Sequence, residues 1–94
     1  MQLDKLTDNQ FADRIVFDLV RDEGIRQVQK WGVQTHGIFE WLAYTTEELG
    51  ELSQAISKYV YNDGTKEDIL KEAIHTATLS LKIAEMIRQM IVLK

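Results

Sequence analysis

Residues Ile38–Tyr61 read IFEWLAYTTEELGELSQAISKYVY. Leu42, Thr45, Leu49, Leu52, Ile56 and Tyr59 recur there at a 3-4-3-4-3 spacing, the pattern of a helix that packs on another helix. Asn62-Asp63-Gly64 follows at once and stops it, Gly64 or Asn62 being suited to the left-handed residue that often ends a helix. The spacing therefore predicts one long helix over Ile38–Tyr61. Three carboxylates sit within it. On a helix advancing about 100° per residue, Glu47 and Glu51 lie roughly 40° apart, and Glu48 and Glu51 roughly 60°. Like charges at these spacings cost stability, by about 0.2–0.5 kcal/mol a pair. They make better sense if a cation sits on them, and hard divalent ions such as Mg²⁺ choose oxygen ligands. Glu48 borders the apolar stripe, with Glu51 next and Glu47 further round, so the cluster is placed to point into a cleft between helices.

Downstream, Thr65 is placed to cap a third helix, with Glu67 and Asp68 in its electropositive first turn. Its apolar positions include Ile69, Ala73, Thr76, Ile83, Ile87 and Met90, and Leu70, Ala77, Leu81, Ala84 and Ile91 widen the face. A helix apolar on more than one side needs more cover than two neighbours in the same chain supply. A homo-oligomer, a dimer or tetramer, is predicted, with a second copy completing the bundle. Upstream, Trp31-Gly32-Val33-Gln34-Thr35-His36-Gly37 breaks the periodicity with two glycines and reads as a loop. Trp31 has two readings there: an anchor against the core, or one wall of a ligand site shared with Gln34 and His36. Before the loop, Phe11, Ile15, Val16, Leu19, Val20, Ile25, Val28 and Trp31 follow helical spacing. A capping box at Thr7-Asp8-Asn9-Gln10 predicts a helix over 8–30, bent at Gly24.

The whole chain sets limits. Its 94 residues make one domain, 1–94, with a modest core. The chain has no proline and little strand-like alternation, so the expected class is all-α: an antiparallel helical bundle completed by homo-oligomerisation. A net charge of −4, with the basic residues scattered, argues against a nucleic-acid face. Without cysteine there is neither a disulfide nor a thiolate metal site. No apolar run approaches the roughly 18 residues of a membrane span, and no signal peptide is evident, so a cytoplasmic protein is expected.

Glu72 and His75, three apart, face the same way on the third helix. If the second and third helices pack antiparallel, Glu47, Glu48 and Glu51 look across at them. Four carboxylates and an imidazole suffice for one or two Mg²⁺ or Mn²⁺ ions, which can neutralise and orient a triphosphate and activate a water. A carboxylate left free of the metal could act as general base. Lys58 follows Glu51 at a spacing that returns it to nearly the same face, where it can meet substrate. An isolated glutamate pair is usually a solvated helix edge, and a lone helical histidine is usually a packed one. Three glutamates bordering an apolar stripe, with a second acidic position in the next helix, favour a site.

Glu47-Glu48-Leu49-Gly50-Glu51-Leu52, followed by Glu72-Ala73-Ile74-His75, resembles the all-α nucleoside triphosphate pyrophosphohydrolases of the MazG-like family. Their hallmark is Glu-Glu-x-x-Glu on one helix and Glu-x-x-Asp on the next. Lys30-Trp31-Gly32 and Phe39-Glu40-Trp41-Leu42 add to the likeness, which spans roughly residues 20–87. The resemblance implies Mg²⁺-dependent hydrolysis of a (deoxy)nucleoside triphosphate to the monophosphate and pyrophosphate, in a helical dimer or tetramer. By position Glu48, Glu51 and Glu72 match metal ligands, and Glu47 matches a further ligand or the water-activating base. Glu47 and Glu48 are thus the catalytic candidates, and Glu48, Glu51, Glu72 and His75 the metal candidates. Trp31 or His36 could stack on the base. His75 departs from the pattern, standing where the family has aspartate, and imidazole suits Mn²⁺ better than Mg²⁺.

Two other readings stand beside this one. Glu72-x-x-His75 is also the i,i+3 motif of di-iron bundles, which use it twice per site, whereas this chain has it once. The chain could instead be a non-catalytic helical dimerisation module whose glutamates only solubilise an edge.

Overall fold

A computed structural model describes residues 5–8 and 11–92 as three helices, with no strand among them. They are α1 (Arg14–Trp31), α2 (Ile38–Tyr61) and α3 (Lys66–Val92). The middle helix has the predicted bounds. Its start is set by Gly37, whose N–H donates to Glu40 Oε1 at 3.1 Å, so a first-turn carboxylate satisfies an end group of the helix. At its end Asn62 N and Gly64 N both donate to Lys58 O, at 2.8 and 3.1 Å. Neither Asn62 nor Gly64 is left-handed. Glycine is required at 64 for another reason: a Cβ there would lie 2.6 Å from Tyr59 N. Thr65 caps α3 as predicted, its Oγ1 accepting from Asp68 N at 3.1 Å.

The first helix begins later than the sequence suggests. Asp13, not the Thr7 segment, is its cap, with Oδ1 accepting from Ile15 N at 2.9 Å and Val16 N at 3.2 Å. Thr7 and Asp8 are not helical, and Asn9 and Gln10 lie outside the described residues. Phe11 has a left-handed φ of 49° and is not part of the stripe. The helix runs unbroken through Gly24, which faces α3, where a Cβ would sit 3.7 Å from Thr78 Cγ2. It ends at Gly32, whose φ of 74° is open to glycine at little cost.

Helix α3 packs against both α1 and α2, which do not pack on each other. The core is correspondingly small: Trp41, Ala55, Ile74, Thr78 and Leu79. Thr78, the most buried, sends its hydroxyl to Ile74 O at 2.7 Å and lies 3.4 Å from Val20 O on α1. The inward face of α2 carries Trp41, Tyr44, Thr45, Glu48, Leu52, Ala55 and Tyr59. This corrects half of the predicted stripe. Leu42, Leu49 and Ile56 are 53%, 55% and 42% exposed, on a second apolar face. On α1 the contact face is Val16, Val20, Glu23, Gly24 and Gln27, and Ile15, Ile25 and Val28 are likewise turned outward. The chain is drawn out, with a radius of gyration of 15.2 Å. A compact domain of this length has about 12 Å.

Candidate functional site

Because α1 and α2 meet only through α3, a cleft of about 840 Å³ opens between them with α3 as its floor. Every residue singled out from the sequence lines it: Glu47, Glu48, Glu51 and Lys58 on α2, Glu72 and His75 on α3, Trp31 at the end of α1, and His36 in the loop. Glu47, Glu51 and Lys58 are exposed at its rim, while Glu48, Glu72 and His75 lie deeper. Trp31 therefore faces the cleft and is half exposed. Core anchoring belongs to Trp41 instead.

The floor has a definite geometry. His75 Nδ1 lies 3.6 Å from Glu48 Oε2 and 3.7 Å from Glu72 Oε1. These contacts are too long for hydrogen bonds. One ligand atom from each of Glu48, Glu72 and His75 fits within 4.8 Å of the other two. Glu48 Oε2 and Glu72 Oε2 are buried and have no hydrogen-bond partner. An unsatisfied buried carboxylate oxygen is costly, and a cation or a proton would relieve it. Burial raises the Glu48 carboxyl above its ordinary value of 4.5, and the Glu51 carboxylate beside it adds to the effect, as does Glu72, while His75 opposes. Glu72 is raised by the same two leading causes, burial first and Glu51 second, with His75 and Lys71 opposing. The three carboxylates share one small volume in which full ionisation is disfavoured. That is what a divalent ion corrects.

The other end of the cleft is aromatic. His36 stands edge-on to Trp41 and Tyr44, with centroids 5.1 and 5.2 Å away. Its Nδ1 is 3.6 Å from Glu40 Oε2, which ties the loop to the first turn of α2. Lys30 Nζ lies 4.7 Å over the Trp31 ring and Arg26 Cζ 5.8 Å over it, so a cationic fringe borders the exposed indole.

Sequence reasoning missed Glu23. Its carboxylate comes from α1 and lies 3.7 Å from His75 Nε2. Arg26 grips it with two hydrogen bonds, 2.8 Å from Nε and 2.7 Å from Nη2, and Gln27 Nε2 adds a third at 2.9 Å. The Arg26 bond holds the Glu23 carboxyl down at about 2 against the opposing effect of burial, with Gln27 and His75 contributing in the same direction as Arg26. The signal was there: Glu23, Arg26 and Gln27 are i, i+3 and i+4, on the face that also carries Val16, Val20 and Gly24. Tyr44 and Lys71, also on the lining, were missed as well.

No family model matches the chain, and neither a curated protein nor a solved structure matches it.

Proposed function

We propose that the chain hydrolyses a (deoxy)nucleoside triphosphate to the monophosphate and pyrophosphate, with a divalent cation, as the MazG-like resemblance implies. The observation that carries this reading is the pair of buried, unpartnered oxygens, Glu48 Oε2 and Glu72 Oε2, beside His75. The donor set fits a divalent ion: two carboxylates and an imidazole on the floor, with Glu51 at the rim. When bound, Mg²⁺ or Mn²⁺ neutralises and orients a triphosphate and lowers the pKa of a coordinated water.

The chain's own residues supply the rest. Glu48, Glu51, Glu72 and His75 hold the cation. Glu47, exposed on the cleft lining, accepts the proton of the water that attacks phosphorus. The P–O bond to the leaving pyrophosphate breaks as the new one forms. Lys58 meets the phosphates, and Trp31 and His36 stack on the base. The Glu72-x-x-His75 motif occurs once per chain, so the di-iron reading needs a second chain at the site, and this reading does not.

The outward apolar stripe of α2 and the small core support a homo-oligomer, dimer or tetramer, as the functional form. A cytoplasmic location suits a substrate of this class.

The test is pyrophosphate release from a panel of canonical and modified nucleoside triphosphates, with Mg²⁺ and separately with Mn²⁺. Release is expected in the wild-type chain and is lost in Glu48→Gln and Glu72→Gln. Silence across the panel with both metals would sink the reading.

A further inference from the structure

His75 is flanked on both ring nitrogens. Nδ1 faces Glu48 and Glu72 of the cation site, and Nε2 faces Glu23 of α1 at 3.7 Å. Which nitrogen carries the proton decides whether the ring can serve a metal there, because a cation needs the lone pair. We propose that Glu23 is a positioning residue: when a cation takes the Nδ1 lone pair of His75, Glu23, 3.7 Å from Nε2 and just beyond hydrogen-bond reach, closes on the Nε2 proton and holds the ring toward Glu48 and Glu72. This inference rests on the metal-site reading above.

Glu23 is unusually well fixed for the task. Lys82 Nζ donates to Gln27 Oε1 at 2.6 Å. A lysine can only donate, so the amide oxygen of Gln27 must face it and the NH₂ must face Glu23. Gln27 and Arg26 together place three donors on the Glu23 carboxylate and fix its position. Oxygens that already accept three hydrogen bonds act as acceptors toward the ring as well, so the nitrogen opposite them is the one suited to carry hydrogen. The order Lys82, Gln27, Glu23, His75 runs from α3 through α1 and back to α3; the first two links are hydrogen bonds of fixed polarity and the last is the 3.7 Å contact. Metal-bound histidines commonly have such a carboxylate behind them, and its loss costs about 10–100-fold in metal affinity.

The test is a titration with Mn²⁺ alone, following the free ion by electron paramagnetic resonance. It compares the wild-type chain, Glu23→Gln, His75→Gln and the double variant, each checked for fold by circular dichroism. Glu23→Gln is expected to weaken binding about 10–100-fold, and the loss should vanish in the His75→Gln background. Unchanged binding in Glu23→Gln, or an equal loss with His75 already gone, would overturn the proposal. A second measurement needs no variant at site 23: long-range ¹H–¹⁵N spectra of the wild-type chain with Zn²⁺, His75 being assigned from His75→Gln. A protonated Nε2 and a metal-bound Nδ1 are expected. The reverse assignment would overturn the proposal even if Glu23→Gln did not fold. Absence of any metal binding by the wild-type chain would remove the site reading itself, and this inference with it.

Discussion

His75 Nδ1 lies 3.6 Å from Glu48 Oε2, an oxygen that is buried and has no hydrogen-bond partner. The two groups come from different helices, and the space between them has no donor to settle the carboxylate. A cation would settle it, and at 100 times its Kd would add about 2.7 kcal/mol to folded stability.

The melting temperature of the wild-type chain should therefore rise with millimolar Mg²⁺ or Mn²⁺, by on the order of 10 °C for a chain of this size. Glu48→Gln should show two effects of opposite sign. Without metal it should melt higher than wild type, because it removes a carboxylate whose ionisation the site resists. With metal it should gain little. A Glu48→Gln chain that still gains the full metal-dependent rise would place the ion elsewhere.

The raised carboxyls of Glu48 and Glu72 and the lowered one of Glu23 act in separate pH windows. For Glu48 and Glu72 the folded chain holds protons more tightly than the unfolded chain. Their contribution to stability is thus full below about 4.5, the ordinary value, and is lost as pH rises through the raised folded values. For Glu23 the contribution is full above 4.5 and is lost as pH falls toward about 2. The metal-free chain should be most stable on the acid side of neutrality, weakening in both directions. Metal replaces the protons, so the gain from Mg²⁺ should shrink as pH is lowered from 8 to 5. Melting curves across that range, with and without Mg²⁺, check both statements; a metal effect independent of pH would count against carboxylate ligands.

Much of this was legible in the sequence. The bounds of α2 were, because Gly37 precedes it and Asn62-Asp63-Gly64 follows. The glutamates and histidine of α2 and α3 at the cleft were too, because helical spacing places Glu48 and Glu51 at an edge and Glu72 with His75 on one face. The inward face of α2 was not. Leu42, Leu49 and Ile56 form as good a stripe as Trp41, Tyr44, Ala55 and Tyr59, and spacing alone cannot say which one the same chain covers. The start of α1 was misread because Thr7 and Asp13 are both competent caps before apolar residues. Glu23 carried no signal of its own until Arg26 and Gln27 were taken with it.

The outward face of α2 leads to a prediction about assembly. Leu42, Leu49 and Ile56 follow one another at heptad spacing and are each at least 42% exposed in the single chain. A second copy covering them would remove that surface from water, at about 25 cal/mol per Å². Wild-type protein should run as a dimer or tetramer in light scattering coupled to gel filtration. Leu49→Glu should shift it to monomer and lower its melting temperature. A monomeric wild-type chain would refute the prediction.

Two glycines should respond oppositely to alanine. At Gly50 a Cβ meets nothing within 4 Å, and the helix neighbours on that side, Thr46, Ser53 and Ser57, are exposed. Gly50→Ala should stabilise by about 1 kcal/mol, the difference in helix propensity. At Gly64 a Cβ would lie 2.6 Å from Tyr59 N and 2.7 Å from Lys58 C. These are backbone atoms that cannot step aside, so Gly64→Ala should destabilise by about 1–3 kcal/mol. Urea unfolding of the two variants beside wild type decides it. Equal behaviour would mean that the turn between α2 and α3 is looser than described.

His75 is where the chain departs from the pattern it resembles, and the departure has a direction. Imidazole offers a neutral nitrogen, and aspartate would offer a charged, hard oxygen. His75→Asp should thus raise Mg²⁺-supported relative to Mn²⁺-supported pyrophosphate release. It should also lower the melting temperature without metal. The new carboxylate would join Glu48 and Glu72 on one side and face Glu23, now 3.7 Å from the ring, on the other. The three donors on Glu23, from Arg26 and Gln27, favour its charged form, so the repulsion is not relieved by protonating it. Saturating Mg²⁺ should restore more of the lost stability than saturating Mn²⁺ does. If the ratio of the two metals is the same in His75→Asp as in wild type, His75 does not touch the ion. The ligand set would then reduce to the carboxylates alone.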